Sequence, residues 1–68
     1  MGDHYTVRKL LDVSPGVETI RTWPTLWEAT GHAIDCVVQC TDPEVHGFEV
    51  IRGGGLQVAY YTTTREQV

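Results

Sequence analysis

The chain has 68 residues, enough for one small domain, and its formal net charge is −4. Five basic residues against nine acids argue against a surface that holds nucleic-acid phosphates. No apolar run approaches the roughly 20 residues that span a bilayer, and the first residues lack the basic start and apolar core of a signal peptide. The two cysteines, Cys36 and Cys40, are too few for a disulfide framework and suit a reducing compartment. We therefore expect a soluble, cytoplasmic protein.

The first third of the chain predicts a β-hairpin. Residues 5–13 alternate between apolar and polar side chains, which is typical of a strand. Ser14-Pro15-Gly16 favours a turn, because proline presets φ and glycine tolerates positive φ. Residues 17–23 are rich in β-branched and aromatic side chains and predict the second strand.

The middle third predicts one helix over residues 26–40. Thr25 and Glu28 have the spacing of a capping box, in which each side chain bonds the other residue's backbone amide. Pro43 should stop the helix, because a proline disfavours helical geometry in the residue before it.

The last third predicts a second hairpin. Residues 45–52 and 56–63 read as strands, joined by the glycine triplet at 53–55. A phosphate-binding loop would need a following Lys-Ser or Lys-Thr and a helix, and neither is present after the triplet. Residues 64–68 are expected to fray.

The predicted fold is α+β, with the element order β-β-α-β-β. A four-stranded antiparallel sheet should carry the helix packed on one face. The whole chain, residues 1–68, should form a single domain with an ordered core over about residues 4–63. The order of the strands in the sheet does not follow from the sequence.

The predicted helix has more apolar circumference than one sheet layer covers. At about 100° per residue, its side chains separate into a core stripe, a second apolar flank and a polar arc. The flank either packs under the hairpin loops or forms a contact surface for a partner or a second copy; tryptophan is favoured as an interface anchor. The core stripe is Leu26, Ala29, Ala33, Val37 and Cys40; the flank is Trp27, Gly31, Ile34 and Val38; the polar arc is Glu28, His32, Asp35 and Gln39.

Acidic residues concentrate in the middle of the chain. Residues 22–51 contain five acids and no base. Such a segment is either a solvated face or a docking surface for a basic partner. The five acids are Glu28, Asp35, Asp42, Glu44 and Glu49.

Catalysis, a metal and a cofactor are not expected. His32, Cys36 and Cys40 are potential zinc ligands, but His32 and Cys40 are eight residues apart, about 12 Å along a helix. A Cys36–His32 contact is possible across one helical turn, but nothing nearby forms an obvious oxyanion site or pocket. Tyr60 and Tyr61 should place one ring in the core and one in solvent; together with Trp23 the exposed ring could stack single-stranded nucleic acid, which the deficit of bases disfavours.

The architecture over residues 5–63, with its acidic balance and short length, resembles the small inhibitor proteins that phages and mobile elements encode, including several anti-CRISPR families. That resemblance implies a non-enzymatic protein that occludes a basic, nucleic-acid-binding surface of its target. It implies that the acids of residues 22–51 meet that surface.

The functional prediction is therefore a protein-binding module with a basic partner, acting in the host cytoplasm and binding neither nucleic acid nor membrane directly. Its expected contact residues are Trp27, Gly31, Ile34, Val38, Glu28, Asp35, Asp42, Glu44 and Glu49. The alternatives are a self-associating structural or assembly protein, such as a homodimer, and a small nucleic-acid- or metal-dependent regulator.

Overall fold

The structure is a computed structural model that describes residues 3–63. The predicted frayed tail, residues 64–68, lies outside the described residues, as do residues 1 and 2. The elements are β1 (Tyr5–Leu11), β2 (Val17–Trp23), α1 (Leu26–Gln39), β3 (Val45–Arg52) and β4 (Leu56–Thr62).

The four strands form one antiparallel sheet in the order β2-β1-β3-β4. Each hairpin pairs consecutive strands, and the hairpins join where β1 pairs with β3. This arrangement places β1 and β3 in the centre and leaves β2 and β4 as edges. The α+β class, the four-stranded sheet and the single helix on one face are confirmed.

The predicted ends of three elements differ from the structure by one or two residues. β1 stops at Leu11 rather than residue 13, because the Asp12 amide leaves the hairpin ladder and donates to the Glu44 carbonyl at 2.8 Å. The helix ends at Gln39, since Cys40 is extended at φ −73° and ψ 127°. β4 ends at Thr62, one residue before the predicted end.

The two turns form where glycine and proline predicted them. Gly16 closes the first turn at φ +90°, and its amide donates to the Val13 carbonyl at 2.8 Å. In the second turn Gly53 and Gly55 have φ of +51° and +121°. These left-handed conformations cost glycine no Cβ clash, so the triplet suits a hairpin loop.

The core lies between α1 and one face of the sheet. Its strand side is Val7, Phe48 and Val50, and its helix side is Ala29 and Ala33, both fully buried. The small alanine side chains let the helix sit close to the strands. Val37, Cys36 and Cys40 pack at its margin. The predicted core position of Leu26 is wrong, because its side chain at the helix start is 41% exposed.

The helix begins at a polar cap, although the capping box differs from the predicted one. Thr25 Oγ1 accepts from the Glu28 amide at 3.2 Å and donates to Glu28 Oε1 at 2.9 Å. The carboxylate of Glu28 thus bonds the Thr25 hydroxyl instead of the Thr25 amide. A negative charge in the first turn also stabilises the helix dipole.

Candidate docking surface

The second apolar flank of α1 points away from the sheet. At about 100° per residue, Trp27, Ile34 and Val38 lie within one narrow arc, roughly opposite Ala29 and Ala33. The two alanines are fully buried against the strands. The helix therefore has two apolar sides, and its own sheet covers only one of them.

The exposed fractions agree with this geometry. Trp27 is 85% exposed, Val38 69% and Ile34 46%. A Cβ placed on Gly31 would meet no atom within 4 Å. Packing under the hairpin loops, one of the two sequence-based alternatives, is therefore wrong for Trp27 and Val38. We call the four residues Trp27, Gly31, Ile34 and Val38 the helix flank.

A groove of about 520 Å³ runs along one side of the helix flank. Its far wall is Trp23, the last residue of β2, which reaches the helix because only two residues separate β2 from α1. Hydrophobic surface and carboxylates thus line the same depression. The lining residues are Trp23, Trp27, Glu28, Gly31, His32, Ile34 and Asp35.

The Trp23 ring contacts both a cation and an imidazole. The Arg21 guanidinium carbon lies 4.0 Å from the centre of the Trp23 ring, and the His32 ring centre lies 5.3 Å away at a tilt of 50°. His32 was predicted in the polar arc beside Glu28 and Asp35, yet within residues 3–63 it has no ion pair with either. Its half-buried ring packs on Trp23 instead, which fixes this wall of the groove.

Four acids of the middle segment have no ion pair within residues 3–63. Glu28 and Asp35 lie on α1 beside the helix flank, and Asp42 and Glu44 lie in the loop after the helix. Within residues 3–63, the ion pairs join Arg8 to Glu49, Lys9 to Glu18, His46 to Asp12 and Arg52 to Asp3. None of them neutralises these four acids. Charges next to the helix flank therefore remain available to a partner.

The fifth acid, Glu49, lies elsewhere. It is 6% exposed on the sheet face opposite α1, where Arg8 Nε donates to its Oε2 at 2.8 Å and Gln57 Nε2 donates to its Oε1 at 2.7 Å. A buried carboxylate with both oxygens bonded within its own chain has little capacity for a partner's cation. We therefore leave Glu49 out of the docking surface.

Asp42 and Glu44 form a separate acidic corner at the end of the helix. Asp42 Oδ1 accepts from the Glu44 amide at 2.9 Å, which fixes the loop. Asp42 also lines a depression of about 460 Å³ with Asp12, Cys40 and His46. No set of three or more His, Cys, Asp or Glu side chains in residues 3–63 is arranged to hold a metal ion.

Both thiols lie beside the core, where the core stripe of the predicted helix placed Cys40. Cys36 and Cys40 are both free and half-buried at the margin of the core. Burial raises the pKa of the Cys36 thiol, and the negative charge of Asp35 raises it further. A raised pKa means less thiolate at neutral pH, the opposite of what an activated nucleophile requires.

The proposed aromatic platform does not assemble. Tyr61 packs against the core and Tyr60 is 46% exposed, as predicted for the pair. Tyr60 lies opposite Glu49 on the face away from α1, whereas Trp23 lies opposite Tyr5 on the helix side. Since β4 and β2 are the two edges of the sheet, the rings cannot stack on one strand of nucleic acid.

The sequence reasoning missed Trp23, which lines the groove, and Arg21, which contacts the Trp23 ring. The signal that could have found them is the two-residue connection between β2 and α1, which keeps the end of β2 beside the first turns of the helix.

Within residues 3–63, no helix has the length and apolar character needed to cross a membrane. Comparison of the chain with protein-family models, curated proteins and solved structures gives no match.

Proposed function

We propose that this chain is a non-enzymatic protein-binding module that docks through the helix flank and the neighbouring acids Glu28 and Asp35. One observation carries the proposal: Trp27 is 85% exposed on an apolar helix face that is directed away from the four-stranded sheet. Contiguous exposed apolar surface on a small protein typically marks an interaction site.

The energetic argument rests on desolvation of the indole. A tryptophan side chain buries about 150–250 Å², so covering Trp27 gains on the order of 3–5 kcal/mol before the costs of association. Ile34 and Val38 extend the apolar area along the helix. This is the composition expected of an interface centre, with one large anchor and smaller neighbours that exclude water.

The charge argument concerns the kind of partner. Glu28, Asp35, Asp42 and Glu44 have no ion pair within residues 3–63, and the formal net charge is −4. A basic partner surface would be attracted over long range and oriented on approach. In this proposal the chain acts as an inhibitor that covers a basic, nucleic-acid-binding surface of its target.

The test is affinity capture with the immobilised chain from cells in which it naturally occurs, comparing wild type with Trp27→Ala. We expect a specific protein to be retained by wild type, to be lost with Trp27→Ala, and to elute as the salt concentration rises. The identified protein is then purified, and its binding to a nucleic acid is measured with and without the chain. Competition between the two supports occlusion.

Leu56→Ala is the matched control, because Leu56 is 65% exposed on β4, the edge strand at the opposite side of the sheet from the β2 edge that carries Trp23. The control should retain the captured protein at wild-type levels. Equal capture by both variants would remove the helix flank from the interface. A concentration-dependent dimer of the purified chain that Trp27→Ala dissociates, measured by light scattering, would instead support the self-associating alternative.

A further inference from the structure

We propose that the occupant of the helix flank is an amphipathic helix of the partner, with Lys or Arg along one side of its apolar stripe. This inference rests on the proposed function and names the chemistry of the partner segment.

The spacing of the helix flank matches a second helix. Trp27, Gly31, Ile34 and Val38 are separated by four, three and four residues. The same alternation occurs where two helices pack along each other, because apolar side chains then recur every 3.5 residues on average and form a contact seam between the helices. The helix flank is the seam that α1 offers. The four positions extend about 16 Å along the axis, about three turns, so a partner helix of similar length can follow the whole seam.

The centre of the seam is open to a close approach. Gly31 has no side chain, and no atom lies within 4 Å of the position its Cβ would take. Trp27 stands one turn before it and is 85% exposed. A partner helix can therefore place its backbone over Gly31 while its side chains pack against the indole.

The carboxylates of α1 lie on one side of the seam only. Glu28 and Asp35 each follow a seam residue by one position and line the groove next to Trp23. They are seven residues apart, two turns or about 10 Å along the helix. On the other side of the seam are Thr30, whose hydroxyl donates to the Leu26 carbonyl at 2.9 Å, and half-buried Val37. Complementary cations on a partner helix should therefore lie along one side of its apolar stripe, also about two turns apart.

A second copy of this chain fits less well. Two antiparallel copies related by a two-fold axis would bring the same side of each seam together, so Glu28 and Asp35 of one copy would face the same acids of the other. Like charges in such pairs are destabilising. Two parallel copies would place these acids against Thr30 and Val37, which supply no cation. The charges thus favour a different, basic helix.

The probe is a display library of helical peptides with apolar residues fixed at a four-three spacing and with both flanks randomised among Lys, Arg, Glu, Gln and Ser. A companion library carries a central proline, which prevents a continuous helix. Both are selected against the intact wild-type chain. We expect Lys or Arg to be enriched on one flank at positions about two turns apart, and only in the helical library.

Two double variants distinguish the effect of the acids beside the seam from the effect of the net charge. Glu28→Gln/Asp35→Asn removes the acids at the seam, and Asp12→Asn/Glu18→Gln removes two exposed acids elsewhere, so both change the net charge by +2. For a synthesised selected peptide, we expect the first variant to weaken binding about three- to tenfold and the second less than twofold. Trp27→Ala should weaken it about 30-fold.

The outcomes distinguish this inference from the proposed function. Three outcomes would each overturn the assignment of a basic helix. They are enrichment without a preference for cations, equal effects of the two double variants, and selection of peptides from the proline library. If affinity capture still shows a Trp27-dependent partner, the docking function stands and only its occupant is wrong. If capture also lacks any dependence on Trp27, both proposals fail.

Discussion

The guanidinium of Arg8 and the carboxylate of Glu49 pair on the sheet face that α1 leaves uncovered, with Nε and Oε2 2.8 Å apart. The two residues lie directly opposite each other on the central strands β1 and β3. The Glu49 side chain is 8% exposed and that of Arg8 32%. An ionised group this well covered depends on its partner, because water cannot replace the lost contact.

We predict that Arg8→Met lowers the free energy of unfolding by about 1–3 kcal/mol, because it leaves Glu49 covered without its cation. Urea denaturation followed by circular dichroism measures the change. Arg52→Met is the control: its pair with Asp3 is half-exposed on both sides, so a loss within about 0.5 kcal/mol is expected. Equal losses in the two variants would show that burial adds nothing to the central pair.

Gly47→Ala should destabilise the fold by about 1–3 kcal/mol through overpacking. A Cβ at Gly47 would lie 2.8 Å from Tyr60 Cε1 and 2.9 Å from the Tyr61 carbonyl oxygen. The Tyr60 ring can move aside, but the carbonyl belongs to β4 and cannot without disturbing the ladder. Thermal unfolding of Gly47→Ala and of Gly47→Ala/Tyr60→Ala, compared with Tyr60→Ala alone, tests this account. An alanine tolerated in both backgrounds would contradict the close approach.

Cys36 should react slowly with iodoacetamide, because burial and the charge of Asp35 raise the pKa of its thiol. In a Cys40→Ala background, the rate at pH 8 should be lower in the folded chain than in urea, and Asp35→Asn should increase it modestly. The folded pKa exceeds the unfolded one, so this thiol's contribution to stability is present below the unfolded pKa and declines as pH rises through the folded pKa. Faster alkylation of the folded chain would reverse the assigned direction.

The sequence predicted the elements well because each has a local cause. Period-two alternation indicated the strands, Thr25 and Glu28 indicated the start of the helix, and the glycines indicated both turns. For Trp27, helical periodicity predicted a position roughly opposite Ala29 and Ala33 but left open whether a hairpin loop covers it, and the structure shows the side chain 85% exposed.

What the sequence could not predict depends on long-range pairing. The order β2-β1-β3-β4 brings Arg8 beside Glu49, residues 41 positions apart, and so takes Glu49 out of the expected acidic surface. The same pairing places Trp23 and Tyr60 on opposite edges and faces. The neighbour of His32 was not predicted for a related reason: the position of His32 on the helix does not reveal that its ring contacts Trp23. These three differences concern neighbours that only the sheet topology supplies.

Gly31→Ala separates stability from binding at the centre of the helix flank. Glycine in a helix interior is less stable than alanine by about 0.5–1 kcal/mol, and the space beside Gly31 is empty, so the variant should raise the free energy of unfolding by that amount. The added methyl group stands where a partner backbone would approach, so affinity for a selected helical peptide should fall. Isothermal titration calorimetry and urea denaturation of the same preparation measure the two effects.

The control for this variant is Gly54→Ala. Gly54 also has open space around it, but it lies in the turn between β3 and β4, far from the seam in the sequence and outside any helix. Its substitution should leave peptide affinity unchanged and should lack the helix-propensity gain. A Gly31→Ala variant that gains stability and binds the peptide as tightly as wild type would mean that the partner backbone does not pass over Gly31. The stability gain would then say nothing about docking, because it arises from the helix alone.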